Sequence, residues 1–234
     1  MGHSELELVE LAGGFIHELK NHLSTLTLNL QLLAEDFAEP QNHRERRAAQ
    51  RVARLHVQCQ RLSEVSNDFL RYARIQELRT HPCRLEEVLG DMVDFFSPTA
   101  RQANIQISCM WASDVPAVAL DVELFKQAIL NLLLNAEQAM PGGGELTVQL
   151  YRGANDGVHI GLIDTGQGMS EEVLAKLFRP FFTTKPGGTG LGLPITRRII
   201  QAHGGTLTVQ SAVARGTKFD IWLPSVPVSA AVAT

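Results

Sequence analysis

Cysteine is scarce in this chain, and what there is carries no pattern. Cys59, Cys83 and Cys109 lie far apart and form no CxxC pair, which excludes a disulfide framework or a thiolate zinc site. They read as small buried hydrophobes in a reducing compartment. Long apolar runs are also missing: nothing approaches the roughly 18 consecutive apolar residues of a membrane span. The start Met1-Gly2-His3-Ser4-Glu5 lacks a basic region followed by an apolar one. Neither export nor membrane contact is expected of this segment. It reads as cytoplasmic, although a longer protein could be membrane-anchored by a region outside it. Nor is there a block of one charge sign: 21 Lys and Arg stand against 25 Asp and Glu, a net charge of -4, so the polyanion footprint of a nucleic-acid binder is absent. What the 234 residues do have is 44% hydrophobic content, enough for one large or two modest cores.

That hydrophobic content is distributed with two different periods. From Val9 through Ile16, Leu19, Leu23, Leu26, Leu30 and Leu33 to Phe37 the apolar positions alternate steps of three and four, a heptad seam. The seam halts at the turn cluster Glu39-Pro40-Gln41-Asn42 and resumes with the same spacing from Val52 through Leu55, Cys59, Leu62 and Ser66 to Ala73. Two long antiparallel helices are predicted. A first helix of about 33 residues would be about 50 Å long, too long to bury its stripe in one small globule. Pairing with a second copy into a dimeric four-helix bundle is the expected remedy. Beyond Pro82 short β-type runs alternate with helices. Strands are predicted at 105–111, 146–151, 159–164, 206–210 and 218–223, and helices at 85–103, 122–140 and 192–203. The fold class is therefore α+β: a helical hairpin over residues 1–80, an α/β sandwich over 81–224, and a flexible tail over 225–234.

Four short segments of the second half carry chemistry. In Asn131-Leu132-Leu133-Leu134-Asn135-Ala136 a four-residue step puts two amides on one helix face. Such amides need partners, and a phosphate-bound Mg²⁺, which takes oxygen ligands, is one; a loop at the helix end is another. Asp164-Thr165-Gly166-Gln167-Gly168-Met169 follows a strand, its glycines permitting close approach and Asp164 offering a fixed acceptor for an exocyclic amine such as that of adenine. Alone, this segment is as often a plain turn. Lys185-Pro186-Gly187-Gly188-Thr189-Gly190-Leu191-Gly192 opens a helix, so its N–H groups and Lys185 can cradle anions; alone it would read as a mobile loop. Thr217, entering the last strand, is expected to place its hydroxyl near Asp164.

In the order NLLLNA, DTGQGM, LFRPFFTTK, GGTGLGL, GTKF these segments resemble the N, G1, F, G2 and G3 boxes of the ATPase fold shared by gyrase, MutL, ninety-kilodalton heat-shock chaperones and histidine kinases. The resemblance implies ATP and Mg²⁺. It implies Asn135 as the Mg²⁺ ligand, Asn131 and Lys185 at the phosphates, and Asp164 at adenine, with Gly166, Gly168 and Thr217 among the cofactor-binding residues. Gly188, Thr189, Gly190, Leu191 and Gly192 would form the lid. Gln138 stands where some relatives place a phosphate-contacting Lys or Arg.

The stretch Phe15-Ile16-His17-Glu18-Leu19-Lys20-Asn21-His22-Leu23 resembles the H box of two-component sensor kinases. His17 lies one residue off the seam at Ile16. A lone histidine on a long helix is usually a solvated surface residue, but beside an ATP domain it becomes a nucleophile. Glu18 is then the base for its second proton, and Asn21 shares a face with Glu18 as part of a water-orienting pair. His22 occupies the position where many relatives carry a helix-bending proline, with Gly13-Gly14 as the alternative flexure point. The resemblance implies a protein histidine kinase that autophosphorylates His17 and passes the phosphoryl group to an aspartate of a response-regulator receiver domain. It also implies a possible phosphatase activity toward that regulator. A catalytically degenerate regulator-docking module and a serine kinase or ATPase of the same superfamily are the alternatives.

Overall fold

The computed structural model describes residues 3–74, 78–153, 157–185 and 188–226, with the backbone alone for 3–18 and 70–74. It divides into two compact units, Met1–Arg74 with Thr183–Leu191, and Ile75–Phe182 with Gly192–Thr234.

The first unit is built on two helices, α1 (His3–Asp36) and α2 (His43–Arg74), which pack on one another. The chain turns between them at the predicted cluster. Asn42 accepts the Arg44 and Glu45 N–H groups at 2.9 and 3.0 Å, and the Glu45 carboxylate reaches back to the Gln41 N–H. This is a capping box in all but the last partner, and it satisfies donors that the first turn would otherwise leave bare. α1 runs unbroken through Gly13-Gly14 and past His22. The heptad seam splits in two. Leu23 and Val52 are buried within the hairpin, whereas Leu19, Leu26, Leu33, Leu55 and Leu62 are exposed, Leu26 by 51% and Leu62 by 53%.

The second unit is a sandwich of one sheet and one helical layer. In chain order it comprises β1 (His81–Cys83), α3 (Leu85–Gln102), β2 (Ile105–Trp111), β3 (Val118–Leu120), α4 (Val122–Ala139), β4 (Gly144–Arg152) and β5 (Gly157–Asp164). The short α5 (Glu171–Leu174), α6 (Gly192–Ala202), β6 (Thr206–Ser211) and β7 (Thr217–Pro224) complete it. Five strands form a sheet in the order β2-β4-β5-β7-β6, parallel between β2 and β4 and antiparallel elsewhere. Strict alternation in β4 and β7 buries Leu146, Val148, Leu150, Phe219, Ile221 and Leu223 on one face, as period-two side chains must when one face alone is covered. The helices supply the opposing layer with Phe96 of α3, Phe125 and Leu132 of α4 and Ile199 of α6.

The strands and helices predicted for the second half are all present within two residues of their expected ends. Three short elements, β1, β3 and α5, were not foreseen. Two details differ from expectation. Ser225 bridges to Val118 and the Val226 N–H donates to the Ala117 carbonyl at 2.9 Å, so the tail is still paired where it was expected to fray; residues 227–234 lie outside the described residues. The cysteines are not buried: Cys59 and Cys83 are half-buried and Cys109, on the edge strand β2, is exposed.

Candidate functional site

At the end of β5 the backbone register sets Asp164 opposite Thr217 of β7. Asp164 is only 4% exposed. Its Oδ1 accepts the Gly166 N–H at 2.9 Å and the Thr217 N–H at 3.2 Å. Two donors on one oxygen fix the carboxylate's orientation. Two glycines make this approach possible. Gly168 (φ +65°) and Gly216 (φ +80°) hold left-handed conformations, and a Cβ at Gly216 would collide with the Asp164 carbonyl oxygen, one at Gly168 with that of Ala212. Gly166 lies equally close to helix α4, and the Gln167 N–H donates to the Ala139 carbonyl at 3.0 Å, so the loop after β5 is seated on the last turn of α4.

The Thr217 hydroxyl was expected at Asp164, and the structure corrects this. The backbone N–H of Thr217 makes that bond, while its hydroxyl lies 3.0 Å from the Ser211 hydroxyl. Ser211 in turn accepts the Met169 N–H at 2.9 Å and donates to the Gly216 carbonyl at 2.9 Å. With the single Ser211 proton on the Gly216 carbonyl, the Thr217 hydroxyl is the donor toward Ser211.

On α4, Asn131 and Asn135 are half-buried on one face. Asn135 Nδ2 donates to the Asn131 carbonyl at 2.8 Å, and Asn131 Nδ2 donates to the Thr196 hydroxyl of α6 at 2.8 Å. Protein groups therefore satisfy the amide nitrogens, whereas the sequence argument for a cation concerned the amide oxygens. Both helices are clamped at their far ends. Asp121 caps α4 by accepting the Leu124 N–H at 3.2 Å, and the Asp121 N–H donates to His203 Nε2 at 2.9 Å. His203 Nδ1 meets the Ile199 carbonyl at 2.8 Å, so Nδ1 carries the proton and Nε2 the lone pair.

The glycine-rich segment before Gly192 belongs to the first unit. Lys185 is half-buried, and its N–H donates to Thr183 Oγ1 at 3.1 Å while its carbonyl accepts the Gly188 N–H. Thr189 donates its hydroxyl to Asp68 Oδ2 of α2 at 3.0 Å and accepts the Leu191 N–H at 3.3 Å. Gly190 has φ +68° and Leu191 is fully buried. Pro186 and Gly187 lie outside the described residues. The preceding segment places Phe178 beneath the Arg197 guanidinium, 5.0 Å from the ring centre.

His17 and Glu18 lie in α1, their side chains outside the described residues. Asn21 is exposed on the same helix. The structure thus brings Asp164, Gly166, Gly168 and Thr217 into one cluster, and Asn131, Asn135 and Gly192 into another; the H-box residues stand in the first unit. Sequence reasoning missed Ser211, Thr196 and His203. A polar residue amid Pro194, Ile195, Ile199 and Ile200, the buried stripe of α6, was the available signal for Thr196; Ser211 had none.

Comparison with known proteins gives a consistent picture. A family model described as histidine kinase-, DNA gyrase B-, and HSP90-like ATPase matches residues 120–227. Sporulation kinase E of Bacillus subtilis (strain 168) is 33% identical over 215 residues, 92% of this chain and 28% of that protein. Full-length ShkA in complex with AMPPNP superimposes with a TM-score of 0.74 at 26% identity, over 92% of this chain and 45% of that one. The catalytic domain of histidine kinase ThkA, nucleotide-free, gives 0.58 at 30% identity over 64% of this chain and all of that one. This chain spans less than half the length of both the sporulation kinase and ShkA.

Proposed function

This chain belongs to the histidine kinases, and from that premise we propose that it is an ATP-dependent transmitter core. In this reading it phosphorylates its own His17 and passes the phosphoryl group to an aspartate of a response-regulator receiver domain. Residues 1–80 serve as the dimerisation and phosphotransfer hairpin, and 81–224 as the ATP-binding domain. The observation that carries the reading is Asp164, a buried carboxylate held by two backbone N–H groups. It is an acceptor with a fixed direction, as recognition of the adenine amine requires. The AMPPNP complex of the related ShkA adds support for a nucleotide triphosphate ligand.

The donor set fits a magnesium nucleotide. Asn131 and Asn135 carry amide oxygens suited to a hard cation, the first residues of α6 and the glycine-rich segment offer N–H groups for phosphate, and Lys185 offers an ammonium. When bound, Mg²⁺ would neutralise charge on the phosphates. The chain's own groups do the rest. In the chemical step a His17 ring nitrogen forms a bond to the γ-phosphorus as the bond from that phosphorus to the bridging oxygen breaks. ADP leaves, and the proton on the second ring nitrogen passes to Glu18. Asn21, exposed one turn along α1, would then position water for regulator dephosphorylation.

The exposed half of the hairpin seam supports a homodimer, since Leu19, Leu26, Leu33, Leu55 and Leu62 repeat at the spacing a second hairpin would cover. The functional test is incubation with labelled ATP. The unmodified protein is expected to take up acid-labile label, and His17→Gln none while still binding nucleotide. Label retained by His17→Gln, or stable to acid, would refute the reading.

A further inference from the structure

Among the described residues one fully buried polar side chain has a partner inside the candidate nucleotide site. Thr196, on the first turns of α6, has no exposed surface. Its hydroxyl lies 3.1 Å from the Gly192 carbonyl and 2.8 Å from Asn131 Nδ2. With the hydroxyl proton on the Gly192 carbonyl, only lone pairs remain toward Asn131. In that arrangement Asn131 presents its NH₂ to Thr196. A flipped amide would have to draw the hydroxyl proton away from the Gly192 carbonyl, at the cost of that bond. The amide oxygen is thereby turned the other way. It lies against Gly192, where even one added carbon would come within 2.5 Å of it, at the residue where the glycine-rich segment becomes helix α6.

We propose that Thr196 is a positioning residue that sets the polarity of the Asn131 amide, so that oxygen rather than nitrogen is offered to the cation of a magnesium nucleotide. The inference rests on the ATP reading above, and it gives Asn131 a share in holding the cation in addition to Asn135. Mg²⁺ accepts oxygen and not amide nitrogen, so the orientation decides whether Asn131 can act at all. Gly192 participates by having no side chain.

The experiment is a titration of Mg²⁺ at fixed ADP, read by calorimetry as nucleotide binding, on the unmodified protein, Thr196→Val and Thr196→Ser. Valine keeps the shape and removes the hydroxyl; serine keeps the hydroxyl. Thr196→Val is expected to raise the Mg²⁺ concentration for half-saturation about three- to tenfold, the range set by losing one neutral hydrogen bond. Binding of ADP in chelator should change by less than about twofold, and Thr196→Ser should stay within about twofold of the unmodified protein in both. An unshifted Mg²⁺ requirement in Thr196→Val, or a serine variant as impaired as valine, overturns the proposal. A second measurement needs no variant. In the nucleotide-free protein an Asn131 side-chain amide proton should exchange with solvent far more slowly than those of exposed Asn21, and equal exchange overturns the proposal. If the unmodified protein binds no nucleotide, the ATP reading fails, while the exchange measurement still decides whether Thr196 holds Asn131.

Discussion

Replacing Asp164 should damage stability and nucleotide binding in different orders, and the difference tests how the carboxylate works. Its Oδ1 accepts the Gly166 and Thr217 N–H groups in a place almost closed to solvent. Asp164→Ala leaves both donors bare. At about 1–3 kcal/mol for each unsatisfied buried group the loss is about 2–6 kcal/mol, a large part of the roughly 5–15 kcal/mol that holds a domain folded. Asp164→Asn keeps an oxygen for both donors. It loses charge reinforcement but no longer buries a charge, and these oppose one another, so a net loss of about 1 kcal/mol or less is expected. Binding follows another rule. The same two donors hold the asparagine oxygen where Oδ1 was, which forces the NH₂ into the place of Oδ2. A donor then stands where a proposed adenine amine needs an acceptor. Losing one charge-assisted bond, about 1.5–3 kcal/mol, corresponds to roughly ten- to hundredfold weaker binding. Urea unfolding should rank the proteins as unmodified, Asn, Ala, with Asn near the unmodified protein, whereas calorimetry with ATP should show both variants impaired. An Asn variant as unstable as Ala, or one that binds ATP normally, would refute the reasoning.

The leucines left uncovered on the hairpin should hold two copies together. Burying the exposed half of a leucine contributes on the order of 1 kcal/mol, so charge at Leu26 and Leu62, both about half exposed, should convert a dimer to monomers in light scattering; a double Leu→Glu variant that stays dimeric would remove this stripe from the interface. Tyr151 should lose its proton above the usual tyrosine value, because burial and the Asp220 carboxylate that accepts its hydroxyl at 3.2 Å oppose the phenolate. With the folded value raised, its contribution to stability is complete below about pH 10 and is lost as pH rises through the folded value. Absorbance titration of a Tyr72→Phe variant, which leaves Tyr151 as the only tyrosine, checks the direction, and ionisation at or below the free-tyrosine value would contradict it.

How much of this was legible depended on whether a contact was local. β2 spans Ile105–Trp111, the stretch its β-type composition predicted, and α4 starts at Val122 behind a capping Asp121. β1 and β3 have three residues each, too few for any period to register. The split of the heptad seam was not legible either. Leu23 and Leu26 are both apolar and three apart, and only the position of α2 decides that the first is buried and the second not. The Asp164 pairing with Thr217 spans 53 residues and follows from strand register, as does the turning of the Thr217 hydroxyl away to Ser211. The motif identified the right residue with the wrong atom, since side-chain direction depends on the neighbouring strand.

The contacts of α4 and α6 also determine which parts of the second unit can adjust. Asp121 and Asn131 are ten residues apart on α4, about 15 Å along its axis. Near one point the helix is tied to α6 by His203, and near the other by Thr196. Two helices joined at both ends of a shared apolar contact cannot rotate about one another without breaking a buried hydrogen bond, and such a break costs about as much as an unsatisfied group. The Asn131 and Asn135 face is therefore fixed before any ligand arrives, and so is the Asp164 loop seated on the last turn of the same helix. In the glycine-rich segment the Thr189 hydroxyl already has a carboxylate partner in Asp68. A phosphate ligand that needed the Thr189 hydroxyl would have to draw it from Asp68. Gly192, the first residue of α6, touches Asn131. A side chain at that position would therefore press on the Asn131 amide.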